Sequence, residues 1–314
     1  SALLEIKKNV ILVTLGEVDN KFLNLQKFNS NLSIFKPDKD TNSLKQLKNL
    51  IQICKVFKPN KIITEMPVNI VTALYYTNIS SKILYWSPGF TKVPWYDKIM
   101  LVPELFEQDK LHNKKNILIP RSIHFDLLNP VVNKQVALEF KRNNKITLNN
   151  YVLGTFARYD KIDSQFLKLV SYLLEINQKR KIIIAGSNDN TEAKDFLKKF
   201  VDNKQAIILG QSNVHILGSI CDVFLDTIPF PCGSSALEMM AKGKPVIGIQ
   251  SKNLASYKKS RIPNLMVDNK SLLNDLLIKL EKNQNFYNKM SKDSIKIAKS
   301  WDNGLELVKI IEEI

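Results

Sequence analysis

The sequence has little cysteine and no long apolar run, and both shortages exclude classes of protein. Its 314 residues include three cysteines, Cys54, Cys221 and Cys232, an odd number without the spacing of a metal site. A reduced, cytosolic protein is therefore favoured over a disulfide-bonded one. No apolar run is long enough to cross a bilayer, and residues 1–9 lack the apolar core of a secretion signal. We expect a cytoplasmic location.

Acidic residues are also scarce beside basic ones. The chain has 46 Lys and Arg against 30 Asp and Glu, which gives a net charge of +16. This balance favours phosphate-bearing ligands, an anionic membrane surface or nucleic acid. Because there is no zinc-finger spacing, RNP-like aromatic strand or basic heptad, we expect no nucleic-acid partner. Peripheral contact with the inner face of an anionic membrane stays open, beside the simpler interpretation of a solvated basic surface.

The length suits two domains, and short apolar runs alternate with amphipathic segments through both halves of the chain. This alternation predicts an α/β fold with doubly wound parallel sheets. Asn129-Pro130 is predicted to start a helix that ends near Asn143, and the polar segment 143–150 is predicted to be an interdomain hinge. The tail from Ser271 to Ile314 is predicted to be helical, with a break around Trp301–Gly304. The predicted strands are Val10–Leu15, Leu32–Phe35, Lys61–Thr64, Lys82–Trp86, Ile99–Val102, Asn116–Ile119, Val152–Phe156, Lys181–Ala185, Ala206–Leu209, Val223–Asp226, Pro245–Ile249 and Leu265–Val267.

The stretch Asp222–Gln250 combines a strand, a turn and a helix. The apolar strand ends in the carboxylate of Asp226, and a turn with two prolines follows. A helix is then predicted to start at Ser234 or Ser235 and to run to Lys242, where Gly243 stops it. The free amides and dipole of such a helix N-terminus favour an anion. Ser235 and Glu238 also fit a capping box, which needs no ligand. Both interpretations stay open at this point.

Four segments resemble the family of O-GlcNAc transferase and the bacterial protein N-glucosyltransferases. Residues 155–163, TFARYDKID, are similar to a family turn close to NFN-x-x-x-KID, whose lysine contacts the donor diphosphate. The central stretch is similar to LDT…NGHTTxxD…GxPVV, with Ser234 and Ser235 at the paired threonines and Glu238 at the acid that holds the ribose hydroxyls. Residues 85–91 followed by Asp97 are similar to G-Y-P-G-T…MDY. The resemblance covers most of residues 80–260. The motif match is specific in the second half of the chain and loose in the first half.

The sequence also departs from the family pattern. Gly233 stands where the family has histidine, Cys232 replaces a glycine, and Glu238 replaces an aspartate. After the next strand, residues 253–256 (NLAS) match a family T-L-A-S-R segment, but Tyr257 takes the place of its arginine. His215 lies one residue away from the spacing of a family histidine that contacts the nucleotide.

The resemblance implies a GT-B fold, with two Rossmann-like domains, a cleft between them and a last helix that returns to the first domain. The expected parts are an acceptor-side domain over 1–147, a UDP-sugar-binding domain over 148–300 and the returning helix over 301–314. The implied reaction moves a hexose or N-acetylhexosamine from a UDP-sugar to an acceptor, in the first place a protein side chain, with inversion. The donor-binding residues that the resemblance implies are Arg158, Lys161, His215, Gly233, Ser234, Ser235 and Glu238.

We expect no metal and no cofactor besides the donor. A lysine, two hydroxyls and helix amides are enough to stabilise the negative charge of a leaving diphosphate. The chain does contain an Asp-x-Asp sequence, Asp38-Lys39-Asp40, but these acids precede an amphipathic helix and fit loop and helix-start positions. Lys161, Arg158 and His215 each have a simpler interpretation as surface or loop residues.

The catalytic base is the least determined part of the prediction. Glu17, Glu65 and Asp97 follow predicted strands or loops of the first half, and each could equally be a cap or a surface acid. We take Glu17 and Asp97 as the candidates. Two other functions stay open: a glycosyltransferase for a surface glycan or glycolipid, and a non-catalytic GT-B partner protein that binds nucleotide.

Overall fold

The computed structural model describes residues 8–13, 30–35, 43–64, 82–86, 98–101, 116–119, 123, 125–251 and 260–313. The chain divides into two compact units, Ser1–Ser122 with Asn303–Ile314, and Ile123–Asp302. The sequence placed the first boundary after residue 147, whereas residues 123–147 group with the second unit. Leu128 and Ile146 explain this, since both are buried in the core of that unit. The segment 143–150, predicted as a hinge, therefore lies within the second unit.

In the first unit, the described strands form two parallel sheets. β1 (Val10–Val13) pairs with β2 (Leu32–Phe35), and the 15-residue helix α1 (Ser43–Phe57) follows. The C-terminal helix (Gly304–Glu313) belongs to this unit and packs Leu307 and Ile311 against Leu84, Met100 and Ile119. The second sheet has the order β3 (Lys61–Thr64), β4 (Lys82–Trp86), β5 (Lys98–Leu101) and β6 (Asn116–Leu118).

The second unit is built on one six-stranded parallel sheet. Its strands are β7 (Tyr151–Phe156), β8 (Arg180–Ala185), β9 (Ala206–Leu209), β10 (Val223–Leu225), β11 (Val246–Ile249) and β12 (Met266–Val267). Their order is β12-β11-β10-β7-β8-β9. The first strand, β7, therefore lies in the middle of the sheet, with β8 and β9 on one side of it and β10 to β12 on the other. This is the Rossmann order, and its reversal point lies between β7 and β10. Ligands bind such sheets outside the carboxyl ends of the strands at this point.

Helices cover the strands of the second unit with apolar faces, as the sequence pattern predicts. In the helix after β7, Phe166, Val170, Leu173 and Leu174 are all buried.

None of the helices in the described ranges is long and apolar enough to cross a membrane. The helices are α2 (Phe125–Leu128), α3 (Lys134–Asn143), α4 (Ser164–Ile176), α5 (Thr191–Phe196), α6 (Lys198–Asp202), α7 (Val214–Ile220), α8 (Ser234–Ala241), α9 (Lys270–Lys282) and α10 (Gln284–Lys299).

The α/β fold with parallel sheets is confirmed, while two helix boundaries differ from the prediction. The helix predicted to start at Asn129-Pro130 begins instead at Lys134, because the side chain of Asn133 accepts a hydrogen bond from Gln135 N at 2.9 Å and caps it. The helical tail has a further break at Asn283, whose side chain caps α10 in the same way. Short polar side chains at an N-cap satisfy amides that a continuous helix would pair internally.

Candidate functional site

The loops that follow β7 and β10 meet at the reversal point of the sheet. These strands are neighbours, with Val223 opposite Leu153 and Phe224 opposite Gly154. After β7 the chain forms a short 3-10 turn, Tyr159–Lys161, before α4. The ammonium of Lys161 crosses to the other loop and donates a hydrogen bond to the carbonyl of Pro231 at 3.1 Å. A cation is thus held two residues before the N-cap of α8.

The turn that carries Lys161 is anchored on both sides. The buried hydroxyl of Tyr159 donates to the carbonyl of Leu209 at the end of β9, at 2.8 Å. Burial raises the pKa of Tyr159 to about 12, so this hydroxyl keeps its proton at physiological pH. Asp163 caps α4 by accepting from Phe166 N at 2.9 Å. The backbone around Lys161 therefore has a fixed position relative to the sheet.

The N-terminus of α8 has no side-chain cap. Gly233 is the N-cap residue, and Ser234 and Ser235 occupy the first turn. The capping-box interpretation of Ser235 and Glu238 is wrong, because it would require Ser235 at the N-cap, two residues after the observed position. The amides of this first turn and the positive end of the helix dipole have the arrangement with which helix N-termini bind anions.

A buried ion pair that the sequence did not reveal holds the loop in front of α8. Arg261 Nε donates to Asp226 Oδ2 at 2.9 Å, and the two side chains are 1% and 3% exposed. Asp226 Oδ1 also accepts from the amides of Cys232 at 2.7 Å and Thr227 at 3.1 Å. Arg261 Nη2 donates to the carbonyl of Cys232. We call Asp226 and Arg261 the Cys232 clamp, since together they fix both backbone polar groups of the residue before Gly233.

Only part of the clamp had a signal in the sequence. Asp226 ends an apolar strand and so stands out as a carboxylate at the edge of a sheet. Arg261 is 35 residues further along the chain, in a segment with two lysines and without a motif of its own. Its role follows from the parallel pairing of β10 with β11, which brings the chain after β11 back beside the end of β10.

A second group of polar side chains lies where α7 and α8 meet. It consists of Glu238 and Lys242 on α8 and His215 on α7. Glu238 lies one turn into the helix, partly buried, and desolvation raises the pKa of its carboxyl while the charge of Lys242 opposes the rise. Lys242 Nζ lies 3.0 Å from His215 Nδ1 and donates to the carbonyl of Leu128 at 2.6 Å. Sequence reasoning missed Lys242, although its i, i+4 spacing from Glu238 places both on one helix face.

The remaining residues predicted for the site show no hydrogen bond or ion pair with the start of α8 in the described ranges. Arg158 is exposed and pairs with Asp160 of its own turn at 3.2 Å. The described residues do not include five of the acids discussed above, so their roles stay predictions. These acids are Glu17, Glu65, Asp97, Asp38 and Asp40. Within the described ranges, no group of three or more His, Cys, Asp or Glu side chains could hold a metal ion.

Comparisons with known proteins bear on this arrangement. Residues 139–297 match the model of the family "Glycosyl transferases group 1". A glycosyltransferase from Rickettsia africae ESF-5 has a similar structure, with a TM-score of 0.72 at 16% identity over 98% of this chain and 90% of that one. Anabaena Alr3699/HepE in complex with UDP and glucose gives 0.68 at 12% identity, over 99% and 93%.

A third similar structure is an O-GlcNAc transferase of Thermobaculum terrenum, with a TM-score of 0.64 at 12% identity over 97% of this chain and 60% of that one. A search of curated proteins finds no match to the sequence. At such low identities the structural likeness shows the fold, and it confirms the predicted GT-B fold class.

Proposed function

Since the chain belongs to the glycosyl transferases of group 1, we propose that it moves a hexose or N-acetylhexosamine from a UDP-sugar to an acceptor, with inversion. The observation that carries this proposal is the hydrogen bond from Lys161 to Pro231, which holds a cation beside the uncapped start of α8. This contact joins the two loops at the reversal point of the sheet, where nucleotides bind in folds of this order.

The diphosphate of the donor belongs at the start of α8. Transfer of the sugar leaves UDP, whose growing negative charge must be stabilised as the glycosidic bond breaks. The ammonium of Lys161 has three donors and uses one on Pro231, so it can hold a phosphate oxygen without moving from its anchor. The first-turn amides and the hydroxyls of Ser234 and Ser235 supply further donors. This set needs no metal ion, and we propose metal-independent transfer.

The nucleoside then lies along α8. Glu238 follows Ser234 by four residues, a rise of about 6 Å along a helix, which suits the distance from a diphosphate to the adjoining ribose. A carboxylate accepts two hydrogen bonds from a ribose diol. Beyond Glu238, Lys242 holds His215, which we place beside the uracil. Because burial raises the pKa of Glu238, we expect affinity for UDP to fall as the pH drops through that raised value.

Two of the similar proteins support a UDP-sugar donor. HepE was crystallised with UDP and glucose, and the Thermobaculum protein is an O-GlcNAc transferase. We propose a protein side chain as acceptor and Glu17 or Asp97 as the base. A surface glycan or glycolipid acceptor is the second candidate, favoured by the net charge of +16, which suits an anionic membrane surface.

Heat stabilisation by a panel of UDP-sugars tests the donor. A ligand present at a hundred times its dissociation constant stabilises the folded state by about 2.7 kcal/mol. We expect UDP and one UDP-sugar to raise the melting temperature, and no stabilisation by any of them would contradict the proposal. Donor binding without hydrolysis or transfer would favour a non-catalytic partner protein. Co-sedimentation with anionic vesicles would favour the glycolipid acceptor.

Substitution of Lys161 tests the observation that carries the proposal. Lys161→Ala removes one charge-assisted hydrogen bond of about 1.5–3 kcal/mol, so UDP should bind roughly ten- to a hundred-fold more weakly. Calorimetric titration measures this directly. Lys168→Ala is the matched control, because Lys168 is an exposed lysine on the first turns of α4. Equal affinities in Lys161→Ala and Lys168→Ala would remove Lys161 from the site.

A further inference from the structure

Lys242 reaches His215 because α7 and α8 approach each other closely. Lys242 is the C-cap residue of α8, and Gly243 ends the helix with a positive φ of 72°. The stem of Lys242 lies against Gly218 of α7. A Cβ atom at Gly218 would stand 3.1 Å from Lys242 Cδ and 2.7 Å from Met239 Sδ, both too close. Glycine at position 218 therefore leaves the space that the Lys242 side chain occupies when its ammonium contacts the imidazole of His215.

The contact defines the protonation state of the imidazole. An ammonium group has donors only, so the nitrogen that faces it, Nδ1 at 3.0 Å, must accept. The ring proton is then on Nε2, and a second proton on Nδ1 would break the hydrogen bond and place two positive groups in contact. We propose that Lys242 is a positioning residue that fixes His215 as a neutral ring with its proton on Nε2.

This inference rests on the proposed function where it concerns UDP. A ring with its proton on Nε2 is a hydrogen-bond donor at that atom, which suits a carbonyl oxygen of uracil. The other tautomer would present a lone pair there and would repel the same oxygen. Lys242 thus acts on nucleotide binding through His215, without a contact of its own to the base.

The charges around Lys242 set the pH range in which it can do this. Burial lowers the pKa of Lys242 to about 8, while Glu238 on the same helix raises it and Lys244 on the following loop lowers it further. Lys134 and Lys141 of α3 line a cavity of about 650 Å³ together with Lys242 and Lys244. Asp126 lies on α2, whose last carbonyl, that of Leu128, accepts from Lys242.

The consequence is an alkaline limit for UDP binding. As the pH rises through about 8, Lys242 loses its proton and becomes an amine that can accept as well as donate. Lys242 then no longer requires Nδ1 of His215 to accept, so it stops favouring the tautomer with the proton on Nε2. We expect affinity for UDP to fall two- to tenfold over this range, which corresponds to the loss of about one neutral hydrogen bond.

The tautomer can be measured without any nucleotide. Long-range proton–nitrogen NMR of the labelled full chain distinguishes Nε2–H from Nδ1–H, and His215→Gln identifies the signals among the three histidines. We expect Nε2–H near neutral pH in the parent and in Lys242→Arg, which keeps a charged donor. Lys242→Met should show mixed tautomers. Lys244→Met, which removes a partly buried lysine two residues away, should keep Nε2–H. A parent with its proton on Nδ1, or no change in Lys242→Met, would overturn the proposal.

Titration of the same samples with UDP from about pH 6.5 to about 9 tests the consequence. The parent should lose affinity above pH 8, whereas Lys242→Arg should bind evenly across the range, because arginine stays charged. An even profile in the parent would refute the alkaline limit. If the parent does not bind UDP at all, the proposed function is wrong, while the NMR result still decides the role of Lys242. If Lys242→Met does not fold, the parent and Lys242→Arg decide both questions.

Discussion

Asp226→Asn probes the buried pair that positions the start of α8. Asparagine has the shape of aspartate and keeps an oxygen for the amides of Cys232 and Thr227, which lie 2.7 and 3.1 Å from Asp226 Oδ1. It removes the negative charge that faces Arg261 Nε at 2.9 Å. Arg261 then loses this carboxylate and keeps, as a buried cation, the neutral acceptors at the carbonyl and hydroxyl of Ser260 and the carbonyl of Cys232.

The structure indicates a large effect on stability. Both side chains are almost wholly inaccessible to water, at 1% and 3% exposure, so the lost charge is not replaced by solvation. Breaking a buried ion pair by removal of one partner costs about 3–5 kcal/mol. In a unit of this size, each kcal/mol lowers the melting temperature by about 2–4 °C. We therefore expect the melting temperature of Asp226→Asn to fall by roughly 6–20 °C.

A second buried pair offers a control for general destabilisation. Arg180 Nε donates to Glu281 Oε1 at 2.6 Å, and the Arg180 side chain is 0% exposed. Glu281→Gln therefore also leaves a buried arginine without its carboxylate, in the same unit but away from the loop before α8. Scanning calorimetry should show comparable losses of stability in both variants.

Nucleotide affinity separates the two variants. At a temperature where both are folded, Asp226→Asn should bind UDP at least about tenfold more weakly, equivalent to about 1.4 kcal/mol. The reason is that the hydrogen bond from the Cys232 amide is no longer charge-assisted, and Arg261 has lost the carboxylate that orients it toward the carbonyl of Cys232. Glu281→Gln should bind UDP like the parent. Equal affinities in the two variants would show that the Cys232 clamp stabilises the fold without positioning the donor site.

Two further predictions address Glu238 and metal dependence. Glu238→Gln should keep a near-parental melting temperature, since Gly233 and not Ser235 is the N-cap of α8, yet it should bind UDP markedly more weakly through loss of the carboxylate. A fall in stability with unchanged affinity would reverse this interpretation. Donor binding and any transfer or donor hydrolysis should persist in excess EDTA and in Asp38→Ala combined with Asp40→Ala. Activity that EDTA abolishes and manganese or magnesium restores would refute metal independence.

The strands could be predicted from the sequence because a parallel strand buried on both faces is a short, continuous apolar run. All twelve predicted strands are present, with ends within two residues in the described ranges. β8 illustrates why, since Arg180–Ala185 is buried along its whole length. The family resemblance then placed Lys161 and Gly233 in one predicted site, and in the structure Lys161 donates to Pro231, two residues before Gly233.

What escaped prediction depends on contacts between residues far apart in the chain. Arg261 and Lys242 are two among many basic residues, and only the fold shows that one is buried against Asp226 and the other against His215. The capping box failed for a local reason. Ser235 and Glu238 have the right spacing, but the helix begins one residue before Ser235. A capping pattern in the sequence does not determine at which residue the helix starts.

Gly233 gives the Cys232 clamp a particular importance in this chain. The family that the sequence resembles has histidine at this position, and glycine cannot supply a side-chain hydrogen bond in its place. The donors that remain at the start of α8 are backbone amides, the two serine hydroxyls and Lys161, which is itself tied to the backbone at Pro231. Backbone donors act only where the backbone is held. We infer that the buried charges of Asp226 and Arg261, which fix both polar groups of Cys232, compensate for the missing histidine by making the position of the amides rigid.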